Sequence, residues 1–249
     1  MRDRVLVITG GAGGVGRTVT LRWLREGASV LVVDRAQAAL DEVREAWEAT
    51  GEGEDTAAAG GADPGRLAIW EGDVTTGEGA AEMFAQAGRT FGRPADTLLH
   101  LVGGFGMGPL DAPDAPAVWD RMMALNLTSS FHCYRAALPA LRARGGGWIV
   151  GLASRAALTP GPKLAAYAAS KAGLIALTQS LSAEVRGENI HVNAILASTI
   201  DTPANRAAMG ERNAADWVTP DDIADATLFL CSDRARAVHG ATLEVYARA

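Results

Sequence analysis

Arg4–Thr9 (RVLVIT) runs directly into Thr9-Gly10-Gly11-Ala12-Gly13-Gly14-Val15-Gly16, and this junction decides the fold. The first part is a short, nearly all-apolar run of β-branched and aliphatic residues, the composition of a buried strand. The second part is a glycine turn, followed by a helical pattern reaching about Gly27. A strand that turns through glycines into a helix brings backbone N–H groups and a helix N-terminus to one point, where they can hold a pyrophosphate. The string fits G-x-G-x-x-G from Gly11 and T-G-x-x-x-G-x-G from Thr9, so Gly10, Gly14, Val15 and Gly16 are candidate contacts for a dinucleotide.

The same alternation continues outward. Ser29–Asp34 is a second apolar run, followed by a helix over about Gln37 to Ala49. Leu67–Trp70, Thr97–Val102, Trp148–Leu152, Val192–Leu196 and Thr242–Tyr246 read as five further strands with helical stretches between them. Continuous apolar strands separated by helices predict a parallel sheet covered on both faces. Right-handed crossovers then give a doubly wound, Rossmann-type α/β fold. The expectation is one domain over residues 1–249, with a seven-stranded, mainly parallel sheet and helices on both faces. Gly51–Gly65 (GEGEDTAAAGGADPG) lacks any period and reads as a mobile surface loop. The stretch from about 198 to 218 follows the sixth strand and reads as a loop over the substrate.

Composition removes several classes. With 48% hydrophobic and 21% charged residues among 249, the chain has the material for a globular core. A net charge of −6 is the wrong sign for a nucleic-acid partner. No stretch approaches the roughly 18 apolar residues of a membrane span. Met1-Arg2-Asp3-Arg4 leads straight into the first strand without a secretory hydrophobic segment, so the expected location is cytoplasmic. Cys133 and Cys231 are too few and too isolated for a disulfide framework or a metal site. The 23 basic residues include only two lysines, Lys163 and Lys171, which draws attention to both.

Asp34 closes the second strand, 18 residues beyond Gly16. A carboxylate there accepts hydrogen bonds from ribose hydroxyls and repels a 2′-phosphate, favouring NAD(H). The neighbouring Arg35 keeps NADP(H) open, and a helix N-cap role for Asp34 stands as the plain alternative. Tyr167 and Lys171 are spaced i, i+4 in a helical stretch and share one face. An ammonium beside a phenol is expected to depress the tyrosine pKa and ready it for proton exchange. Ser154 follows the fifth strand, at the edge where such sheets bind ligands, and can hydrogen-bond a carbonyl oxygen beside the tyrosine.

Taken in order, these residues resemble the short-chain dehydrogenase/reductase family along nearly the whole chain. Thr9–Gly16 matches that family's glycine turn, Asp73-Val74 its Asp–hydrophobic pair at the adenine, and Asn126 its helix asparagine. Ser154, Tyr167 and Lys171 match its serine and Tyr-x-x-x-Lys motif. The resemblance implies an NAD(H)-dependent enzyme interconverting a carbonyl and an alcohol on a small-molecule substrate, with 3-oxoacyl and other ketones both open. It also implies roles. Ser154 would hold the carbonyl, Tyr167 exchange its proton, Lys171 lower the Tyr167 pKa and bind the nicotinamide ribose, and Asn126 position a water for proton relay. Val102 and Gly103 would offer backbone to the cofactor, and Ile200 and Thr202 would meet the nicotinamide carboxamide. A homo-oligomer, tetramer or dimer, is implied as well, with the helices holding Asn126–Leu141 and Tyr167–Val185 in its interface.

Several positions depart from the family pattern. His100-Leu101-Val102-Gly103 stands where Asn-Asn-Ala-Gly is usual, and His100 reads as a hydrogen-bonded buried histidine rather than a base. Ala197-Ser198 replaces Pro-Gly after the sixth strand, and the C-terminus lacks the common Asp-Gly-Gly. Segments 102–105 and 198–206 are similar to dihydropteridine reductases, which makes a pterin reductase an alternative, although typical members of that branch lack the serine. A non-catalytic dinucleotide-binding regulator is the alternative outside enzymology. Phe105, Arg155 and Trp217 are expected at the mouth of the substrate pocket.

Overall fold

The computed structural model of the chain describes residues 1–50 and 66–248, so the Gly51–Gly65 segment read as a surface loop lies outside the described residues. Its strands are β1 (Val5–Thr9), β2 (Ser29–Asp34), β3 (Leu67–Glu71), β4 (Thr97–His100), β5 (Gly147–Ser154), β6 (Ile190–Ala197) and β7 (Thr242–Val245). They form one sheet in the order β3-β2-β1-β4-β5-β6-β7, parallel at every pairing. The expected sheet is therefore present, and the described strands are parallel throughout. The fourth strand stops at His100, two residues earlier than its apolar run suggests, because Leu101–Gly104 peels away to line the crevice described below. The fifth instead extends to Ser154, pairing with β6 along its whole length.

The period-two alternation of each strand sorts the core into two faces. Leu6, Ile8, Val30 and Val32 point to one side, where they pack with Trp23 and Leu24 of α1 (Gly16–Arg25), Leu40 of α2 (Gln37–Glu48) and Ile223 of the helix over Pro220–Leu230. Val5, Val7, Leu31 and Val33 point to the other. There they meet Met83 and Phe84 of α3 (Gly77–Phe91) and Cys133, Tyr134 and Leu141 of α5 (Ser129–Ala143). Truncating a fully buried residue such as Leu31 to alanine would cost about 2–5 kcal/mol. Among the described residues, no helix is long and apolar enough to cross a membrane.

Two features position the site. The sheet reverses its direction of growth between β1 and β4, which opens a crevice at the carboxyl ends of those strands. Between α4 (Ala115–Met122) and α5 the helix widens into a π-turn over Met123–Thr128. Such widening frees carbonyls from their usual i+4 partners. Here the Ser129 hydroxyl donates to the Leu125 carbonyl at 2.6 Å and the Ser130 hydroxyl to the Asn126 carbonyl at 2.7 Å.

Candidate active site

The glycine turn closes as the sequence requires. Gly10 adopts φ +68°, and a Cβ on Gly16 would lie 2.0 Å from the Gly10 carbonyl oxygen, so this backbone admits only glycine at that point. The turn opens onto a cavity of about 600 Å³ lined by Gly10, Gly14, Val15, Gly16, Asp34, Arg35, Asp73, Val74, Val102, Gly103, Ile200 and Thr202. Every cofactor-contact residue expected along the turn, at β2, at 73–74, at 102–103 and at 200–202 thus reaches one crevice. The α1 N-terminus faces it with no acidic residue in its first turn, leaving the helix end free to attract an anion.

Asp34 is not the cap of α2, whose N-cap is Ala36; its Oδ1 accepts the Arg35 backbone N–H at 2.8 Å. Asp73 likewise leaves the capping of α3 to Thr76. Its Oδ1 accepts from the Thr75 backbone at 2.9 Å and the Thr75 hydroxyl at 2.7 Å, and these bonds hold its carboxyl below its usual range. A glycine cradle, a helix N-terminus and a carboxylate one strand away fit a dinucleotide.

A second cavity of about 610 Å³ shares Leu101, Gly103, Leu152, Ile200 and Asn205 with the first, so the two form one continuous crevice. Ser154, Tyr167 and Lys171 line it, as do Phe105 and Arg155. Ser154 is the last residue of β5, while Tyr167 and Lys171 lie on α6 (Ala165–Glu184). Phe105 packs edge-on against the Tyr167 ring with centroids 5.0 Å apart.

The electrostatics correct one expectation. Burial raises the Tyr167 pKa above its ordinary value, opposed only by a hydrogen bond with Ser154. The Lys171 side chain is buried, and its Nζ donates to the Leu152 carbonyl at 2.8 Å. Burial also lowers Lys171 to about 8. The raised pKa keeps the phenol in its protonated form at neutral pH.

Asn126 is tied to the strand end beside it. Its Oδ1 accepts from Gly104 N at 2.8 Å, while Nδ2 donates to the Gly104 carbonyl at 3.1 Å and to Ser170 Oγ at 3.0 Å. Both amide protons are thus committed to protein atoms, so the side chain clamps the Gly104 backbone. A Cβ on Gly103 would fall 2.8 Å from Asn126 Oδ1 and 3.0 Å from Lys171 Nζ, which shows how closely the two groups approach this strand end.

His100 is the buried, hydrogen-bonded histidine expected. Ser129 spends its hydroxyl proton on Leu125, so His100 Nε2 must donate to Ser129 Oγ at 3.1 Å and Nδ1 must accept from Thr9 Oγ1 at 2.8 Å. Burial, reinforced by the Lys171 charge, holds it neutral with a pKa near 3.

Trp217 is the substrate residue the structure does not deliver. Parallel pairing of Ile200 with Val218 folds the 198–218 segment back against the end of β6. The indole is left only 7% exposed and outside the lining of either cavity. Met209, which the sequence also places at the pocket mouth, lines the second cavity together with Asn205 of the same segment. Ser170 was missed by the sequence reading, although it lies three residues after Tyr167 on the same helical face, a spacing that could have flagged it.

Comparison with known proteins agrees with this geometry. Residues 10–246 match a family model described as enoyl-(acyl carrier protein) reductase. The chain is 34% identical to 2-(S)-hydroxypropyl-CoM dehydrogenase 3 of Xanthobacter autotrophicus, over 98% of this chain and 96% of that protein. A solved 7α-hydroxysteroid dehydrogenase in complex with NADH and 7-oxo glycochenodeoxycholic acid superposes with a TM-score of 0.86 at 28% identity. That match covers 98% of this chain and 93% of the other. A 3-ketoacyl-(acyl-carrier-protein) reductase from Brucella melitensis, complexed with NADH, gives 0.83 at 25% identity, covering 99% and 98%.

Proposed function

Because the chain belongs to the short-chain dehydrogenase/reductase family, oxidoreductases acting on CH–OH and C=O groups, we propose that it is an NAD(H)-dependent enzyme interconverting a ketone and its alcohol. The observation that carries this reading is that Ser154, Tyr167 and the buried Lys171 line one cavity, which is continuous with the crevice at the glycine turn. In reduction, the substrate oxygen accepts hydrogen bonds from the Ser154 and Tyr167 hydroxyls. Charge develops on that oxygen and Tyr167 gives it a proton, the phenol being protonated by virtue of its raised pKa. A bound nicotinamide supplies the hydride in this direction and takes it in the other. Lys171 presents its remaining N–H groups to the nicotinamide ribose and offsets the charge left on the phenolate. Asn126 fixes Gly104 and with it the wall on which the reacting ring rests.

Asp34 at the crevice supports NAD(H) over NADP(H). The relatives named for 3-oxoacyl and steroid ketone chemistry support a ketone substrate. Ser154 on the same cavity wall as Tyr167 favours a C=O substrate over a quinonoid pterin, whose reductases typically lack that serine. The 198–218 segment acts as the cover of the site, through Asn205 and Met209. Assembly as a tetramer or dimer belongs to the same proposal, supported by the exposed Trp119 and Phe131 on α4 and α5, and is checked by light scattering.

The test is Tyr167→Phe, assayed by NADH consumption with a panel of 3-oxoacyl thioesters, steroid ketones and simple ketones. Turnover should fall by about 10²–10⁴-fold while calorimetric NADH affinity is preserved. Loss of NADH binding together with turnover would make Tyr167 structural and remove the mechanism.

A further inference from the structure

At the seam where the sheet reverses its growth, Thr9 of β1 and His100 of β4 are register partners at their strand ends. Both are fully buried, as is Ser129. The two nitrogens of His100 face opposite ways, Nδ1 accepting from Thr9 Oγ1 at 2.8 Å and Nε2 donating to Ser129 Oγ at 3.1 Å. Ser129 passes its own proton on to the Leu125 carbonyl at 2.6 Å. The three segments so joined all line the cofactor crevice. Gly10 follows Thr9, Leu101, Val102 and Gly103 follow His100, and Leu125 belongs to the π-turn. They are in close contact: a Cβ on Gly10 would lie 3.0 Å from Val102 N, and one on Gly104 would lie 2.8 Å from Leu125 Cδ1. In so tight a packing, a shift of Thr9 or of Leu125 is passed to the strand end between them. The imidazole also meets the Tyr134 ring edge-on, with centroids 6.3 Å apart, and feels the Lys171 charge. Burial and that charge keep it neutral, so one tautomer serves both partners. An asparagine, usual in the family at this position, ends one bond short of Nε2 and reaches only the Thr9 side.

Resting on the nicotinamide-cofactor reading above, we propose that His100 is a positioning residue for the cofactor: its imidazole braces the glycine turn against the π-turn and so fixes the wall, Leu101–Gly103 with Leu125, that the dinucleotide meets. His100 touches no reacting atom. A binding wall is held to sub-ångström precision only by buried groups whose own orientation is locked on more than one side, and the two bonds to Thr9 and Ser129 supply that lock. Loosening either bond is therefore read in the affinity for the dinucleotide.

Three variants separate the two bonds. His100→Asn keeps an acceptor for Thr9 and loses the reach to Ser129. His100→Gln keeps a donor for Ser129 and loses the acceptor beside Thr9, and His100→Leu loses both. The NADH dissociation constant, measured calorimetrically on the full chain, should rise by about fivefold in the Asn and Gln variants and by about 25-fold in the Leu variant. Thr9→Val, nearly isosteric, breaks the first bond from its other side and should weaken NADH as His100→Gln does, which keeps the brace testable where His100→Leu fails to fold. A packing role would rank the variants by volume instead, with Leu and Gln close to the wild type and Asn the weakest, and that order would overturn the brace. NADH affinities equal to the wild type in every variant would overturn it too. A wild-type chain that binds no NADH is a different failure, since it removes the nicotinamide reading itself and the brace's ligand with it.

Discussion

Ser170 Oγ accepts a hydrogen bond from Asn126 Nδ2 at 3.0 Å and donates to the Tyr167 carbonyl at 2.8 Å. A single hydroxyl therefore joins the π-turn to the helix that bears the proton donor. Through Asn126 the link continues to both backbone groups of Gly104, on the wall of the substrate cavity. Ser170 touches no reacting atom. It positions the residue that positions the wall.

Ser170→Ala strands one amide proton of Asn126 in a fully buried place, a loss of about 1–3 kcal/mol. Urea unfolding should register that loss. The expected kinetic signature is a roughly tenfold fall in kcat/KM, because a wall displaced by a fraction of an ångström spoils the approach geometry. A variant that is less stable but has unaltered kcat and KM would show Ser170 to be a packing residue only.

Asp34→Ala removes the carboxylate that faces a ribose at the crevice. NADH should bind more weakly by about tenfold, and NADPH more tightly, since the repulsion of a 2′-phosphate is gone and Arg35 lines the same cavity. The ratio of the two dissociation constants, measured by calorimetry, is the readout. An unchanged ratio would remove Asp34 from cofactor selection.

Lys171 carries a cost that the chain bears in return for activity. Its pKa is lowered from 10.5 to about 8 by burial. The unfolded chain therefore binds more protons than the folded one between those values, and this lysine makes stability rise with pH across that window. Below pH 8 the full penalty applies, on the order of 3 kcal/mol, less about 1 kcal/mol for its bond to Leu152. Lys171→Met should accordingly unfold at higher urea concentration than the wild type at pH 7, with the gap narrowing as the pH rises from 8 toward 10.5, while turnover is lost. A gap independent of pH would place the stabilisation in packing rather than charge.

Much of this was legible beforehand because it is local. The apolar runs, the helices between them and the glycine turn depend on neighbours within a few residues, and the strands form where those runs lie. The i, i+4 spacing that put Tyr167 and Lys171 on one helix face is of the same kind. Trp217 was misplaced for the opposite reason. Whether an aromatic residue in a polar segment points out or in depends on where that segment docks, and the bridge from Ile200 to Val218 turned it inward.

By itself, then, the amino-acid order determined the parallel α/β sheet and the glycine turn, consequences of period and spacing, while Ser154, Tyr167 and Lys171 stood out as a set through their resemblance to a family motif. Only the tertiary structure decided their electrical state. Burial raised the Tyr167 pKa, His100 became a neutral link and Asn126 a clamp on Gly104. The partners responsible are distant in the chain: Thr9 and His100 are 91 positions apart, Asn126 and Ser170 are 44, and Leu152 and Lys171 are 19. Burial and hydrogen bonding set a charge, and both are properties of the assembled neighbourhood rather than of the residue.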